Sequence, residues 1–200
     1  MRKILAVTAV IFAVTTLGAN ADQWDDLVKE ALKQRPSQQK RKTRSGKRLL
    51  REKRERIAQI DAKVPDLIKK GDYQKAEELF KEALRLTIEL YHPDHLRVAE
   101  RFLLLGILYM EARMPAKAEE VLLWSLKIGE PILGEGDYRL GNVYLFLARA
   151  YFDQNKYELA AEQATLYLMI CKAYFGDDNP RTVAARDFLG DIYAEQQKKK

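Results

Sequence analysis

The sequence predicts an all-α fold, an α-solenoid of antiparallel helix pairs with about three repeats and a C-terminal capping helix. Three observations support this: apolar residues recur at helical spacing, the same residue types return every 42 positions, and no segment shows sustained strand alternation. The chain has 200 residues, of which 47% are hydrophobic and 32% charged, a mixture typical of one or two folded domains.

The first 21 residues have the plan of a secretory signal peptide. Arg2 and Lys3 precede an apolar run over residues 4–17, and Ala19 and Ala21 offer small side chains to a signal peptidase. The run is shorter than the roughly 20 residues that span a bilayer. We expect cleavage after Ala21 and a periplasmic or secreted mature protein. The alternative is an uncleaved anchor or a buried N-terminal helix.

Charge divides the rest of the chain. Residues 22–56 contain 13 Lys and Arg against 6 Asp and Glu, whereas residues 61–197 contain 17 against 23. We assign residues 22–56 to a short amphipathic helix plus a basic linker arm, and residues 57–200 to the helical repeat domain. The arm is a solvated, flexible linker, or it binds an anionic surface such as lipid, cell-wall polymer, nucleic acid or an acidic protein. Its candidate anion-binding residues are Lys40, Arg41, Lys42, Arg44, Lys47 and Arg48.

The amphipathic helix before the arm has one apolar face, which packs on the body, on a membrane or on a partner. That face consists of Trp24, Leu27, Val28, Ala31 and Leu32. A second helical pattern begins after Gly46, and Pro65 is expected to end or kink it.

The 42-residue repeat organises the remaining sequence into helix pairs. We expect small residues, among them Gly106, Ala148 and Gly190, to let paired helices approach closely. The first repeat is expected to have only a stub of its opening helix, and Pro131 to shorten or bend a later one. Matching positions include Ala76, Ala118 and Ala160; Leu105, Leu147 and Leu189; Tyr109, Tyr151 and Tyr193; Arg97, Arg139 and Arg181. The predicted helices lie near 47–63, 66–71, 73–91, 96–112, 115–130, 139–154, 157–175 and 181–196.

These motifs resemble tetratricopeptide repeats. Leu105-Gly106, Tyr109 and Ala118, and their counterparts one repeat later, carry the resemblance over residues 64–197. The 42-residue period and the linker at residues 92–95 resemble the longer kinesin-light-chain-like variant. The resemblance implies that the first helix of each pair lines a concave groove.

By the repeat register, the middle of the groove carries apolar side chains, one cation and one amide, and such a surface suits a protein or peptide ligand. Alternatively, Leu103, Leu145 and Phe152 pack within the array. The candidate groove residues are Glu100, Leu103, Ile107, Met110, Asn142, Leu145, Arg149, Phe152, Asp187 and Asp191. Trp124 is either a convex anchor or a locally packed residue.

The sequence contains no recognisable catalytic set. His92 and His95 have metal-like spacing, but no third ligand is evident, so linker capping is the favoured interpretation. We expect Glu119 and Glu120 to form solvated surface, and Cys171 to be a buried apolar residue rather than half of an intermolecular disulfide.

The preferred hypothesis is therefore a non-enzymatic exported protein that acts as an adaptor or assembly factor, without cofactor, metal or small-molecule substrate. The alternative is attachment to an anionic surface by the basic arm, with the repeats as a spacer or as a homo-oligomerisation unit.

Overall fold

The computed structural model describes residues 21–199, so the predicted signal peptide lies outside the described residues apart from Ala21. This part of the chain contains helices but no β-strand, and none of its helices is long and apolar enough to cross a membrane. The helices are α1 (Ala21–Gln34), α2 (Gln38–Lys42), α3 (Arg44–Lys69), α4 (Tyr73–Tyr91), α5 (Leu96–Glu111), α6 (Pro115–Leu133), a 3-10 turn (Tyr138–Leu140), α7 (Gly141–Asp153), α8 (Tyr157–Phe175) and α9 (Pro180–Lys198).

The described residues divide into two compact units, one up to Arg101 and one from Phe102 onward. The first unit contains α1 to α4 and the first residues of α5. The second contains the remainder of α5, then α6 to α9. Helices pack against their neighbours in each unit, which confirms the predicted all-α solenoid class.

Helix α4 is the centre of the first unit, because both α1 and α3 pack against it. Ile60 and Val64 of α3 and Leu84 of α4 are almost completely buried. So is Trp24 of α1, whose ring lies 5.5 Å from the Lys81 ammonium of α4. The apolar face of α1 thus packs on the protein, one of the three alternatives that the sequence allowed.

The sequence predicted that Pro65 ends or kinks a helix and that only a stub over residues 66–71 follows. No helix ends at Pro65, so that part of the prediction is wrong. Helix α3 continues through Pro65 as one helix of 26 residues, and the first repeat has a full opening helix that pairs with α4. Proline removes one backbone hydrogen bond, to the carbonyl of Asp61, and Asp61 is exposed, so water can satisfy that carbonyl. Burial of Ile60, Val64 and Leu67 on one face outweighs the loss.

Helices α6 to α9 of the second unit pack consecutively, and apart from the end of α6 at Pro131 each bound lies within two residues of the predicted one. The prediction that Pro131 shortens its helix is wrong, because α6 has 19 residues, as α4 and α8 do. Pro131 lies in the last turn, where it removes a single bond. Gly134 N–H still donates to the Glu130 carbonyl at 2.8 Å and closes the helix.

The backbone repeats with the same period as the sequence. A positive φ occurs after the first helix of each pair and again after the second. Glycine favours this conformation because it has no Cβ, yet some of the positions carry Arg, Asn or His, so the packing of the helix pairs imposes the turn there. The residues with positive φ are Gly71, Arg113 and Asn155 after the first helices, and His92, Gly134 and Gly176 after the second.

The linker arginines of the repeat register have structural partners. The Arg97 guanidinium lies 5.2 Å from the Tyr91 ring, and Arg181 lies 5.3 Å from the Phe175 ring. Where the middle repeat has Leu133 instead of an aromatic residue, Arg139 pairs with Asp137 at 2.7 Å. Hydrogen bonds from Arg139 lower the pKa of Asp137 to about 2.

The expectation that Glu119 and Glu120 form solvated surface is wrong, since both are about 95% buried (5% exposed). The Glu119 carboxylate accepts hydrogen bonds from Gln154 Nε2 and Lys156 Nζ, both at 2.7 Å. Helix periodicity alone places Glu119 on the outer face, but the turn between α7 and α8 covers it and supplies the compensating charge.

Small residues determine how closely the helices approach. A Cβ added at Gly106 would lie 2.6 Å from Cγ of Leu122 on α6. Gly190 holds the same place in the last repeat, but nothing lies within 4 Å of its added Cβ. The prediction that Gly190 permits a close approach is therefore wrong, because no helix follows α9 within residues 21–199. The alanines of this register are completely buried: Ala76, Ala118, Ala148 and Ala160.

Gly106→Ala should lower the free energy of unfolding by about 1–2 kcal/mol, because Leu122 must leave its position to admit the methyl group. Gly190→Ala is the matched control. It should raise the free energy of unfolding by about 0.5–1 kcal/mol, because alanine loses less entropy in a helix. Urea unfolding followed by circular dichroism measures both, and equal effects of the two substitutions would contradict the close approach at Gly106.

Candidate functional site

Helix α7 leaves one face outside the core, and the four predicted groove residues of this helix form that face. Asn142 and Arg149 are exposed, while Leu145 and Phe152 are half-buried. They occupy one side because their spacing of three or four residues matches the helical turn. The opposite side of α7 is buried and consists of Val143, Tyr144, Leu147, Ala148, Ala150 and Tyr151.

The other predicted groove residues also lie outside the core. Those of α5 in the second unit are half-buried, and those of α9 are exposed. Glu100 is exposed on α5 but belongs to the first unit. We call the remaining nine residues of the second unit the groove surface: Leu103, Ile107, Met110, Asn142, Leu145, Arg149, Phe152, Asp187 and Asp191.

Phe152 also has a packing role. Its ring centroid lies 5.6 Å from that of Tyr157 and 5.9 Å from that of Phe188 on α9, both in edge-to-face geometry. The first contact joins α7 to α8 and the second joins α7 to α9, which is the packing alternative that the sequence left open for this residue. Arg149 is exposed, and its guanidinium lies 5.7 Å from the ring of Phe146 on the same helix. Leu145 and Arg149 are therefore better probes of binding than Phe152.

Trp124 is half-buried on α6 and has local partners. Its ring stacks on Phe102 with the centroids 5.6 Å apart, and the Lys127 ammonium lies 4.1 Å from the ring. These contacts are the local packing that was the predicted alternative to an exposed anchor. The anchor role stays a prediction.

The two histidines have structural contacts in the linker after α4. His92 Nδ1 lies 3.1 Å from the Asp94 carboxylate, and His95 Nδ1 accepts a hydrogen bond from the Arg97 N–H at 3.1 Å. In the described residues, no group of three or more His, Cys, Asp or Glu side chains is placed to hold a metal ion. Cys171 is buried, as expected of an apolar residue.

The predicted basic linker arm, which we call the basic segment, is helical in the structure. It forms α2 and the first turns of α3, where Thr43 caps the helix by accepting the Gly46 N–H at 3.0 Å. Consequently the predicted boundary at residues 56 and 57 falls inside α3. Five of the six candidate anion-binding residues are exposed: Lys40, Lys42, Arg44, Lys47 and Arg48.

The sixth, Arg41, caps the C-terminus of α4. It donates to the Leu90 carbonyl at 2.8 Å and to the Glu89 carbonyl, and Arg35 donates to the Tyr91 carbonyl at 3.2 Å. These carbonyls have no partner within the helix, and cations near a helix C-terminus also interact favourably with its dipole. Burial lowers the pKa of Arg41, and the nearby Arg35 and Arg54 lower it further.

Sequence reasoning missed these capping contacts, because about 50 residues separate each arginine from its carbonyls. It also missed a buried ion pair between Lys53 of α3 and Glu89 of α4. The only sequence signal was Glu89 itself, an acidic residue between Ile88 and Leu90 in an otherwise apolar stretch.

Residues 66–130 match the sequence model of the family described as Tetratricopeptide repeat. Among solved structures, BtubC (BKLC) from P. vanneervenii matches with a TM-score of 0.64 and 25% identity, over 80% of this chain and 68% of that chain. No curated protein matches the chain significantly.

The helix pairs, their 42-residue period and these matches support a tetratricopeptide-repeat protein, with residues 66–130 as the segment that matches the family model. BtubC is a kinesin light chain-like protein of this kind, which agrees with the variant that the sequence resembles. Tetratricopeptide repeats generally mediate protein–protein interaction, and the fold is typically non-catalytic.

Arg41→Met should lower the free energy of unfolding by about 1.5–3 kcal/mol, because it removes charge-assisted hydrogen bonds and leaves helix carbonyls without a partner. Lys42→Met is the control, since Lys42 is exposed and should change the value by less than about 0.5 kcal/mol. Urea unfolding of both variants is the measurement. A neutral Arg41→Met would show that the cap contributes nothing to stability.

Proposed function

We propose that the chain is an exported adaptor or assembly factor that binds a protein or peptide through the groove surface and catalyses no reaction. The observation that carries the proposal is the unburied face of α7. Leu145 and Phe152 provide apolar area there, and the exposed residue Arg149 lies between them in sequence. Apolar anchors beside a planar cation suit a peptide that carries a carboxylate.

Two acidic residues of α9 indicate the charge that the bound peptide should carry. Asp187 and Asp191 are exposed one helical turn apart, so they repel an acidic segment and attract a basic one. The ligand that fits best is therefore an amphipathic peptide with apolar side chains and an acidic residue for α7, followed by a basic residue for α9. The absence of a recognisable catalytic set in the sequence supports a role in binding rather than catalysis.

Binding through the groove surface is tested with the variant Leu145→Glu/Arg149→Glu. Crosslinked affinity capture from the envelope of the source organism, read by mass spectrometry, should recover the partner at least about tenfold less well with this variant, because anchor residues dominate interface energies. Circular dichroism should show unchanged helix content.

The matched control is Leu159→Glu/Lys172→Glu, which makes the same chemical change on α8. Leu159 and Lys172 are exposed and outside the groove surface, so capture should equal that of the wild type. Undiminished capture by the groove variant, or equal loss in both variants, would exclude the groove surface as the binding site.

Export is tested by the N-terminus of the protein recovered from its native cells. Intact-mass measurement should show a chain that begins at Asp22, because the peptidase reads the small residues at Ala19 and Ala21. Ala19→Arg/Ala21→Arg should leave the longer precursor attached to the membrane. Recovery of the wild-type chain with residues 1–21 still present would refute cleavage at this site.

A further inference from the structure

The first unit contains two neighbouring open cavities lined by cations, with volumes of about 710 and 740 Å³. Both include Lys47, and neither is lined by an Asp or a Glu. We call them the basic double cavity. Arg35, Arg41, Lys42 and Lys47 contribute the cations of one cavity, and Arg44, Lys47, Arg48 and Arg51 those of the other.

Part of this charge is fixed in place. Arg35 and Arg41 are held by the carbonyls at the end of α4, and Arg35 Nε is buried without a hydrogen-bond partner. The lowered pKa of Arg41, caused by burial and by the neighbouring Arg35 and Arg54, agrees with an excess of positive charge here. An anion bound in the cavity would relieve that repulsion.

The other cations are available to a ligand. Lys42, Arg44 and Lys47 are exposed and have no ion pair or side-chain hydrogen bond within residues 21–199. Arg48 and Arg51 form only single exposed contacts to glutamates of the next helical turn, at 3.3 and 3.4 Å. Such exposed pairs contribute little, so a stronger anion can displace them.

We propose that the basic double cavity binds phosphate groups of anionic phospholipids at a membrane surface. Guanidinium and ammonium groups are the usual ligands of phosphate, and two cavities that share Lys47 suit neighbouring headgroups. Leu32 lines the first cavity and is 38% exposed, which gives the cations an apolar contact for the bilayer interface. Among the described residues, no aromatic side chain lines either cavity, so stacking of nucleic-acid bases has no support here.

The experiment compares the full wild-type chain with Lys42→Glu/Lys47→Glu in sedimentation with vesicles of phosphatidylglycerol and phosphatidylcholine. Both proteins contain the apolar run at residues 4–17, so its contribution to membrane binding is the same. The variant should bind the mixed vesicles at least about tenfold more weakly, and both proteins should bind pure phosphatidylcholine equally. Raising salt from about 0.1 M to about 1 M shortens the screening length from roughly 10 Å to roughly 3 Å and should remove the difference.

Lys63→Glu/Lys75→Glu is the matched control, with the same change of net charge on exposed residues of the first unit. Lys63 lies 16 residues beyond Lys47 on α3, or about 24 Å along the helix. This control should bind the mixed vesicles like the wild type. Equal loss in both variants would mean that net charge alone drives binding, and it would overturn the site.

Nucleic acid is the other macromolecule that such cations could hold. Fluorescence anisotropy with a short duplex DNA at the same salt tests it, and we expect weaker binding than to the mixed vesicles. If DNA binds more tightly than the mixed vesicles, and the Lys42→Glu/Lys47→Glu variant loses that binding, the lipid assignment is overturned.

The basic double cavity does not include any residue of the groove surface. The groove variant Leu145→Glu/Arg149→Glu should therefore bind the mixed vesicles as the wild type does.

Discussion

The structure depends on a close approach of antiparallel helices that only small residues allow. An α-helical pair of this length cannot bury its apolar faces alone, so each helix must also pack against the next one. The contact between Gly106 and Leu122 shows how little space remains between such helices. The turns follow from the same constraint, because Arg113 and Asn155 accept the left-handed conformation that Gly71 adopts more easily.

A second constraint explains the arrangement of charge in the first unit. Glu89 is buried in α4, and a buried carboxylate is unfavourable unless cations compensate it. Lys53 and Arg85 pair with Glu89, while Arg35 and Arg41 occupy the helix carbonyls beside it. The end of α4 therefore needs several cations from the basic segment. Lys42, Arg44 and Lys47 have no ion pair within residues 21–199, and Arg48 and Arg51 form only exposed pairs, which is why a surplus of positive charge lines the basic double cavity.

The helices could be predicted from the sequence because their signals are local. Apolar spacing and the 42-residue period predicted the bounds of α4 to α9 to within three residues. The errors at Pro65 and Pro131 arose because a single lost hydrogen bond was weighed without the packing that opposes it. The burial of Glu119 depends on side chains 35 and 37 residues away, and no local pattern reports such a contact.

For the groove surface, the sequence predicted which side of α7 lies outside the core, but not the contacts that each residue makes there. Repeat register identified Asn142, Leu145 and Arg149 as unburied, but it could not show that Phe152 also joins α7 to α9. For the basic segment, the composition predicted the positive charge. It could not show which of the cations pair with carbonyls or carboxylates of the folded chain. The groove surface is proposed to act through short-range apolar contact and the basic double cavity through screened charge, so the two proposed interactions differ in physical character. An adaptor that held a membrane by one and a protein by the other would need only modest affinity at each, because binding at the first raises the effective concentration at the second.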